Sequence, residues 1–222
     1  MNLETLDRGN ASGRATRDLL IRTAERLFAE RGIGAVSLRE IGQAAGQRNN
    51  AVTQYHFGSR QDLIDAIYVY RAATINRRRH ELLAEFEANR RGRDLEEILW
   101  VTLRPHAESI SDPDDNFLGF LARVLTDEAR ISVVADDQRP QVDAHLDALR
   151  ALRALARDCV PGLPRVQFER RFDMIFDWAI HALAEFGRSA KRPPRRAEID
   201  QRLAELTAML ANALRADVMV RP

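Results

Sequence analysis

Residues Val36 to Leu63 run VSLREIGQAAGQRNNAVTQYHFGSRQDL, and their punctuation specifies two short helices joined by a tight turn. Ser37 and Glu40 stand at the spacing of a capping box. The serine side chain accepts from the amide three residues on, and the glutamate reaches back to the serine amide. The helix opened in this way carries Leu38, Ile41 and Ala45 on one face, and Gly46 stops it. A second short helix follows over about Asn49–Phe57 and is closed by Gly58-Ser59. Two short helices around a glycine turn, the second beginning in polar residues, form a helix-turn-helix arrangement. In that geometry the first helix crosses a phosphate backbone and the second lies in the major groove. Arg48, Asn49, Asn50, Thr53 and Gln54 are side chains able to hydrogen-bond base edges or phosphates. Free amides near Ser37 and Asn49 add donors for phosphate oxygens. Taken alone, such paired helices also occur as plain packing units.

Upstream, Leu20, Ala24, Leu27 and Phe28 recur at helical spacing, which predicts a helix from about Thr16 to Arg31 with Gly32 as its stop. Residues 1–13 are polar and unpatterned and read as a flexible tail. Downstream, Ser59 and Asp62 cap a long helix carrying Leu63, Ile64, Ile67 and Tyr70. Further amphipathic segments are predicted at about Asp94–Ser109, Asp115–Glu128, Arg139–Cys159, Pro164–Gly187 and Ala197–Ala216. Their separators are Arg91-Gly92, Asp112-Pro113, Asp136-Asp137, Pro161-Gly162 and Pro193-Pro194. The expected class is all-α with about nine helices. It divides into the tail over 1–13, a helix-turn-helix DNA-binding domain over 14–61, and a helical body over 62–222.

Composition bounds the function. The 222 residues are 45% hydrophobic and 30% charged, enough apolar material for a real core. The balance of 34 basic to 33 acidic side chains is near neutral overall, yet it is uneven. Residues 9–60 hold eight Arg against four acids, a net +4, so a modestly basic front end precedes a slightly acidic body. Cys159 is the single cysteine, which excludes an intramolecular disulfide and a thiolate metal site. His80, His106, His145 and His181 show no pairing at metal-ligand spacing, and no phosphate-cradling glycine loop or nucleophile elbow is present. No cofactor, metal or catalytic residue is therefore expected. Residues 1–15 lack the apolar stretch of a secretion signal and no membrane-length apolar window occurs, so a cytoplasmic protein without a membrane partner is expected.

The residues Ala24, Leu27, Phe28, Arg31 and Gly32, then Val36, Ser37, Glu40, Ile41, Ala45 and Gly46, then Val52, Tyr55-His56-Phe57-Gly58-Ser59-Arg60 and Leu63, carry a family resemblance. Over about residues 17–67 the chain resembles the tetracycline-repressor (TetR/AcrR) family of bacterial transcriptional regulators. The resemblance implies that Ser37 and Arg39 touch phosphates and that Asn49, Asn50, Thr53 and Gln54 form the base-reading surface. Tyr55 and His56 match positions that meet the backbone or seat the helix; Tyr55 and Phe57 are also expected to bury against the first helix. For His56 a local hydrogen-bonding role stands level with a phosphate contact. Arg60 stands where the family more often has Lys, and either cation serves a phosphate. Gln54 replaces a frequent Tyr, and Arg48-Asn49-Asn50 replaces a commoner Val-Ser opening, which implies a different operator sequence.

For the body over 62–222 the family resemblance adds two further expectations, dimerisation and effector binding. A lone helix-turn-helix reads few base pairs, so such proteins pair about a two-fold axis and read two half-sites. Phe168, Ile175, Ile180, Leu183, Leu203, Leu206, Leu210 and Ala213 on the last two long helices are candidates for that homodimer interface, or else pack within one subunit. The family also implies a small-molecule effector bound by the body. Trp100, Leu103, Phe117, Phe120, Leu121, Val124, Phe172, Phe176 and Trp178 are candidate pocket residues, or ordinary core. Among polar candidates His106, Asn116, Arg123 and His181 lie on or beside apolar faces. Arg123 favours an anionic group on a largely apolar ligand, or else is a surface cation near Asp127, its i+4 neighbour. Arg77-Arg78-Arg79 falls mid-helix and reads as solvated surface. The combined expectation is a ligand-responsive regulator, most simply a repressor, released from a palindromic double-stranded operator by its effector. A helical interaction module that has lost DNA binding is the alternative.

Overall fold

The computed structural model describes residues 3–49, 51–88, 94–126 and 145–216. Asn50, the breaks at Arg91-Gly92 and Asp136-Asp137, the Arg139 helix start and the Glu128 helix end lie outside the described residues. Nine α-helices and one 3-10 turn, with no strand, make up the described residues. In chain order they are α1 (Leu3–Arg31), α2 (Leu38–Ala44), α3 (Val52–Phe57), α4 (Arg60–Ala88) and α5 (Leu95–Glu108). After the turn Ser109–Ser111 come α6 (Phe117–Thr126), α7 (Asp147–Asp158), α8 (Arg165–Ser189) and α9 (Arg196–Arg215). The first helix begins at Leu3, not near Thr16, so the backbone of residues 3–13 continues α1.

The first three helices form the front of the molecule. Leu20, Ile21, Ala24 and Phe28 of α1 are fully buried, and Ile41, Phe57, Leu63 and Ile64 close the same core. Gly32, Gly46 and Gly58 take positive φ at the ends of α1, α2 and α3, where a side chain would strain the turn.

The body is organised around α5, buried almost throughout from Leu95 to Ala107 and packed by α4, α7, α8 and α9. Helix α1 also lies along α6: the Phe28 and Phe120 rings stack with centroids 6.2 Å apart. The two helices approach so closely there that a Cβ on Gly119 would stand 3.2 Å from the Ala29 Cβ. The front is therefore docked on the body through α1 and through the continuous helix α4. Among the described residues, no helix is long and apolar enough to cross a membrane.

Candidate nucleic-acid interface

The capping box expected at Ser37 is present in both directions. The Glu40 amide donates to Ser37 Oγ at 3.2 Å, and the Ser37 amide donates to Glu40 Oε2 at 2.8 Å. Arg31 adds a contact to Glu40 Oε1 at 3.0 Å, so the end of α1 and the start of α2 share one carboxylate. These hydrogen bonds, led by the Ser37 amide, hold the Glu40 pKa down to about 2. The turn after α2 is fixed by glycine and by Asn49, whose Oδ1 accepts from the Ala51 amide at 2.9 Å. That Asx-type turn starts α3 at Val52, three residues later than the asparagine.

Helix α3 presents two faces. Val52, Thr53 and Phe57 pack inward, and Thr53 is fully buried against Gly42, where a Cβ would meet its hydroxyl at 3.2 Å. Thr53 therefore seats α3 on α2 and does not reach outward, contrary to its expected place on the reading surface. Gln54 and Tyr55 face out with Arg48 and Asn49. Tyr55 is 84% exposed, so it does not bury against α1; Phe57 does. The half-buried His56 ring sits edge-on to Tyr55 at 5.4 Å, and Arg17 of α1 lies 5.2 Å above the Phe57 ring. Arg39 is exposed on α2. Arg60 donates to the Val36 carbonyl at 3.2 Å, joining the start of α4 to the entry of α2. Ser37, Arg39, Arg48, Asn49, Gln54, Tyr55 and Arg60 are all exposed.

The body separates its candidates. His106, Phe117, Leu121 and Phe176 gather around one largely enclosed cavity with Tyr68 and Arg79. Leu103, Phe120, Val124 and Phe172 are buried core that does not line it. Trp100 lies against a separate outer groove beside α9, under the Arg104 guanidinium. Arg123 reaches the Ala29 carbonyl of α1 at 3.5 Å, Trp178 is exposed, and His181 contacts Thr126 and the Asp177 carbonyl at 2.8 Å. None of these four lines the cavity.

The dimer candidates need a larger correction. Phe168, Ile175, Ile180, Leu183, Leu203 and Leu210 are buried inside one chain, while Leu206 and Ala213 are half-buried. The large apolar residues that α8 and α9 leave exposed are Val166, Met174, Trp178 and Met209, on the opposite faces. Arg79 also departs from expectation: it is buried, and only Arg77 of its run is exposed. A signal existed, since Ile64, Tyr68, Ala72, Ile75, Arg79 and Leu82 follow the inward stripe of α4.

Comparison with known proteins agrees with this architecture. Residues 20–67 match the family model described as bacterial regulatory proteins, tetR family. The transcriptional regulator FadR from Bacillus subtilis, solved in complex with stearoyl-CoA, superposes with a TM-score of 0.53 at 15% identity. The match covers 90% of this chain and 98% of that one. AibR, solved with isovaleryl coenzyme A and operator DNA, gives 0.51 at 18% identity, covering 87% of this chain and 97% of its own. The TetR-family regulator PfmR from Thermus thermophilus gives 0.50 at 21% identity, covering 91% and 97%. No curated protein matches. The resemblance carried by Ala24 to Leu63 is thus a match to the tetR-family model over residues 20–67, on a chain with the all-helical fold of TetR-family transcriptional regulators.

Proposed function

We propose that this chain is a ligand-responsive transcriptional repressor that binds a palindromic operator as a homodimer. The observation that carries the reading is the outward polar face of α3, headed by Gln54 and the 84% exposed Tyr55, beside the capped start of α2. In this reading Ser37, Arg39 and Arg60 contact phosphates, and Arg48, Asn49, Asn50 and Gln54 read bases. Tyr55 and His56 meet the sugar–phosphate backbone. Thr53 supports them from inside by holding α3 on α2.

A second copy supplies the second half-site, through the faces of α8 and α9 that expose Met174, Trp178 and Met209. The effector enters the body beside His106, Phe117, Leu121 and Phe176. Two proteins of similar fold were solved with acyl-CoA molecules, one of them also with operator DNA, which supports a reading head coupled to an effector domain. Release follows only when the effector prefers the conformer that fits DNA less well. Helices α1 and α4, both shared between front and body, transmit that preference.

Selection from random duplexes followed by fluorescence anisotropy tests the reading. The expected result is a two-fold symmetric site bound by two chains. Failure to enrich any sequence would overturn it.

A further inference from the structure

Arg77, Arg78 and Arg79 follow one another on α4 and meet three different surroundings. Arg77 is exposed. Arg78 is paired with Glu108 through two hydrogen bonds of 3.1 Å and with Glu81. Arg79 is 3% exposed. Its Nε donates to the Thr102 carbonyl at 3.2 Å and its Nη2 lies 2.9 Å from His106 Nε2. Among the described residues no carboxylate pairs with it: Asp147 engages Asn76 and His80, and Glu108 engages Arg78 and Arg104. Burial lowers the Arg79 pKa to about 10, which leaves the guanidinium charged at neutral pH. A buried charge with no counter-ion is among the costliest features a fold can keep.

The adjoining histidine sharpens the point. A guanidinium only donates, so His106 Nε2 must accept from it, and the imidazole proton then sits on Nδ1. That Nδ1 is buried and has no hydrogen-bond partner among the described residues. Burial and the neighbouring Arg79 hold the His106 pKa well below its usual value, so the ring is neutral. Arg79 and His106 therefore bring a positive charge and an N–H without a partner among the described residues to one cavity, which Tyr68, Phe117, Leu121, Phe176 and a second imidazole, His145, also line. A water molecule could satisfy the N–H but not the charge. A cation beside a neutral donor matches an anion that also accepts a hydrogen bond.

We propose that this cavity recognises an organic carboxylate, with Arg79 as its counter-ion, His106 Nδ1 as a second donor, and Phe117, Leu121 and Phe176 against its apolar part. The inference rests on the effector-responsive reading above and names the chemical class of that effector. The cavity holds about 10 Å³, room for about one water. A larger carboxylate is thus bound only by a form in which α4, carrying Arg79, stands farther from α5, carrying His106. Preference for that form is what a releasing ligand needs.

The full chain is titrated calorimetrically, without DNA, with acetate, hexanoate, octanoate and benzoate, each beside its neutral amide. The larger acids should bind about tenfold or more tightly than their amides. Arg79→Met should lose about tenfold in carboxylate affinity yet melt no lower than the parent, because it removes an unpaired buried charge. Arg79→Lys should recover part of the binding. On the unaltered protein, hexanoate should shift the His106 Nδ1 proton and nitrogen resonances, a readout that survives if the variants fail to fold. Equal affinity for acid and amide, no binding of any probe, or an unmoved His106 overturns the proposal. A chain that binds its operator but no carboxylate sinks this inference alone. One that binds carboxylates but no DNA keeps this site and sinks the regulator reading.

Discussion

Arg71 of α4 grips Glu25 of α1 with two hydrogen bonds, Nη2 to Oε1 at 2.6 Å and Nε to Oε2 at 2.7 Å. Its Nη1 also reaches Asp115, just before α6, at 3.2 Å. Glu25 is 1% exposed, so this fork ties α1 of the front to the body from inside. Burial raises the Glu25 pKa against the opposing pull of Arg71.

Breaking the fork from the basic side strands the carboxylate. Arg71→Met should cost about 3 kcal/mol in urea denaturation, since a buried charge loses its partner. It should also weaken the effect of any effector on operator affinity, measured by anisotropy with and without ligand. Unchanged stability would show that the fork contributes nothing net.

The two faces of α3 should respond differently. Gln54→Ala should cost about 1–3 kcal/mol of operator binding and blur base preference. Arg39→Ala should weaken all sequences alike and flatten the salt dependence. Thr53→Val should leave specificity intact and raise stability by about 1 kcal/mol, because the buried Thr53 hydroxyl has no hydrogen-bond partner among the described residues. A specificity change in Thr53→Val would return that side chain to the reading surface.

Gly42 sets the spacing of α2 and α3. In Gly42→Ala the new methyl group stands 3.2 Å from Thr53 Oγ1 and 3.3 Å from Val52 Cγ1, so these side chains, and α3 with them, must give by about a few tenths of an ångström. Operator affinity should fall by about tenfold while the far-ultraviolet dichroism stays unchanged. Full affinity in this variant would mean that α2 and α3 tolerate the displacement.

The start of α2 should be acid-sensitive. Glu40 has a folded pKa of about 2 against an ordinary value of 4.5. Its depressed value means that its contribution is complete above pH 4.5 and is lost as pH falls through 2. Protection of the Ser37 amide, taken against its intrinsic exchange rate, should fall as pH drops through that window, and Glu40→Gln should remove most of the dependence. A Ser37 amide equally protected at both ends would contradict the cap.

Substitutions on the two faces of α8 should separate folding from the proposed assembly. Trp178→Asp should give monomers by light scattering with the fold retained, since Trp178 is 57% exposed. Phe168→Ala should instead cost about 3–5 kcal/mol of stability, because Phe168 is fully buried in its own chain. Dimers persisting in Trp178→Asp would move the interface elsewhere.

Although α1 starts at Leu3, well ahead of Thr16, the existence and order of the front helices, the Ser37–Glu40 cap and the glycine stops are legible in the residues. So are the extents of α8 and α9, to within about two positions. These depend on backbone geometry and on contacts a few residues apart, so local spacing contains them. Which side of each apolar stripe faces home is a property of the assembled helices. Phe168 and Leu203 turn inward and Trp178 outward because α8 is wide enough in apolar residues to serve two surfaces, and only its neighbours choose between them. Tyr55 is left exposed and Thr53 enclosed on one turn of α3 by the seat that Gly42 offers. Arg79 shows the rule most plainly. Its basic neighbours suggest a solvated surface, yet burial depends on the helices that close over a position, and α5 closes over this one.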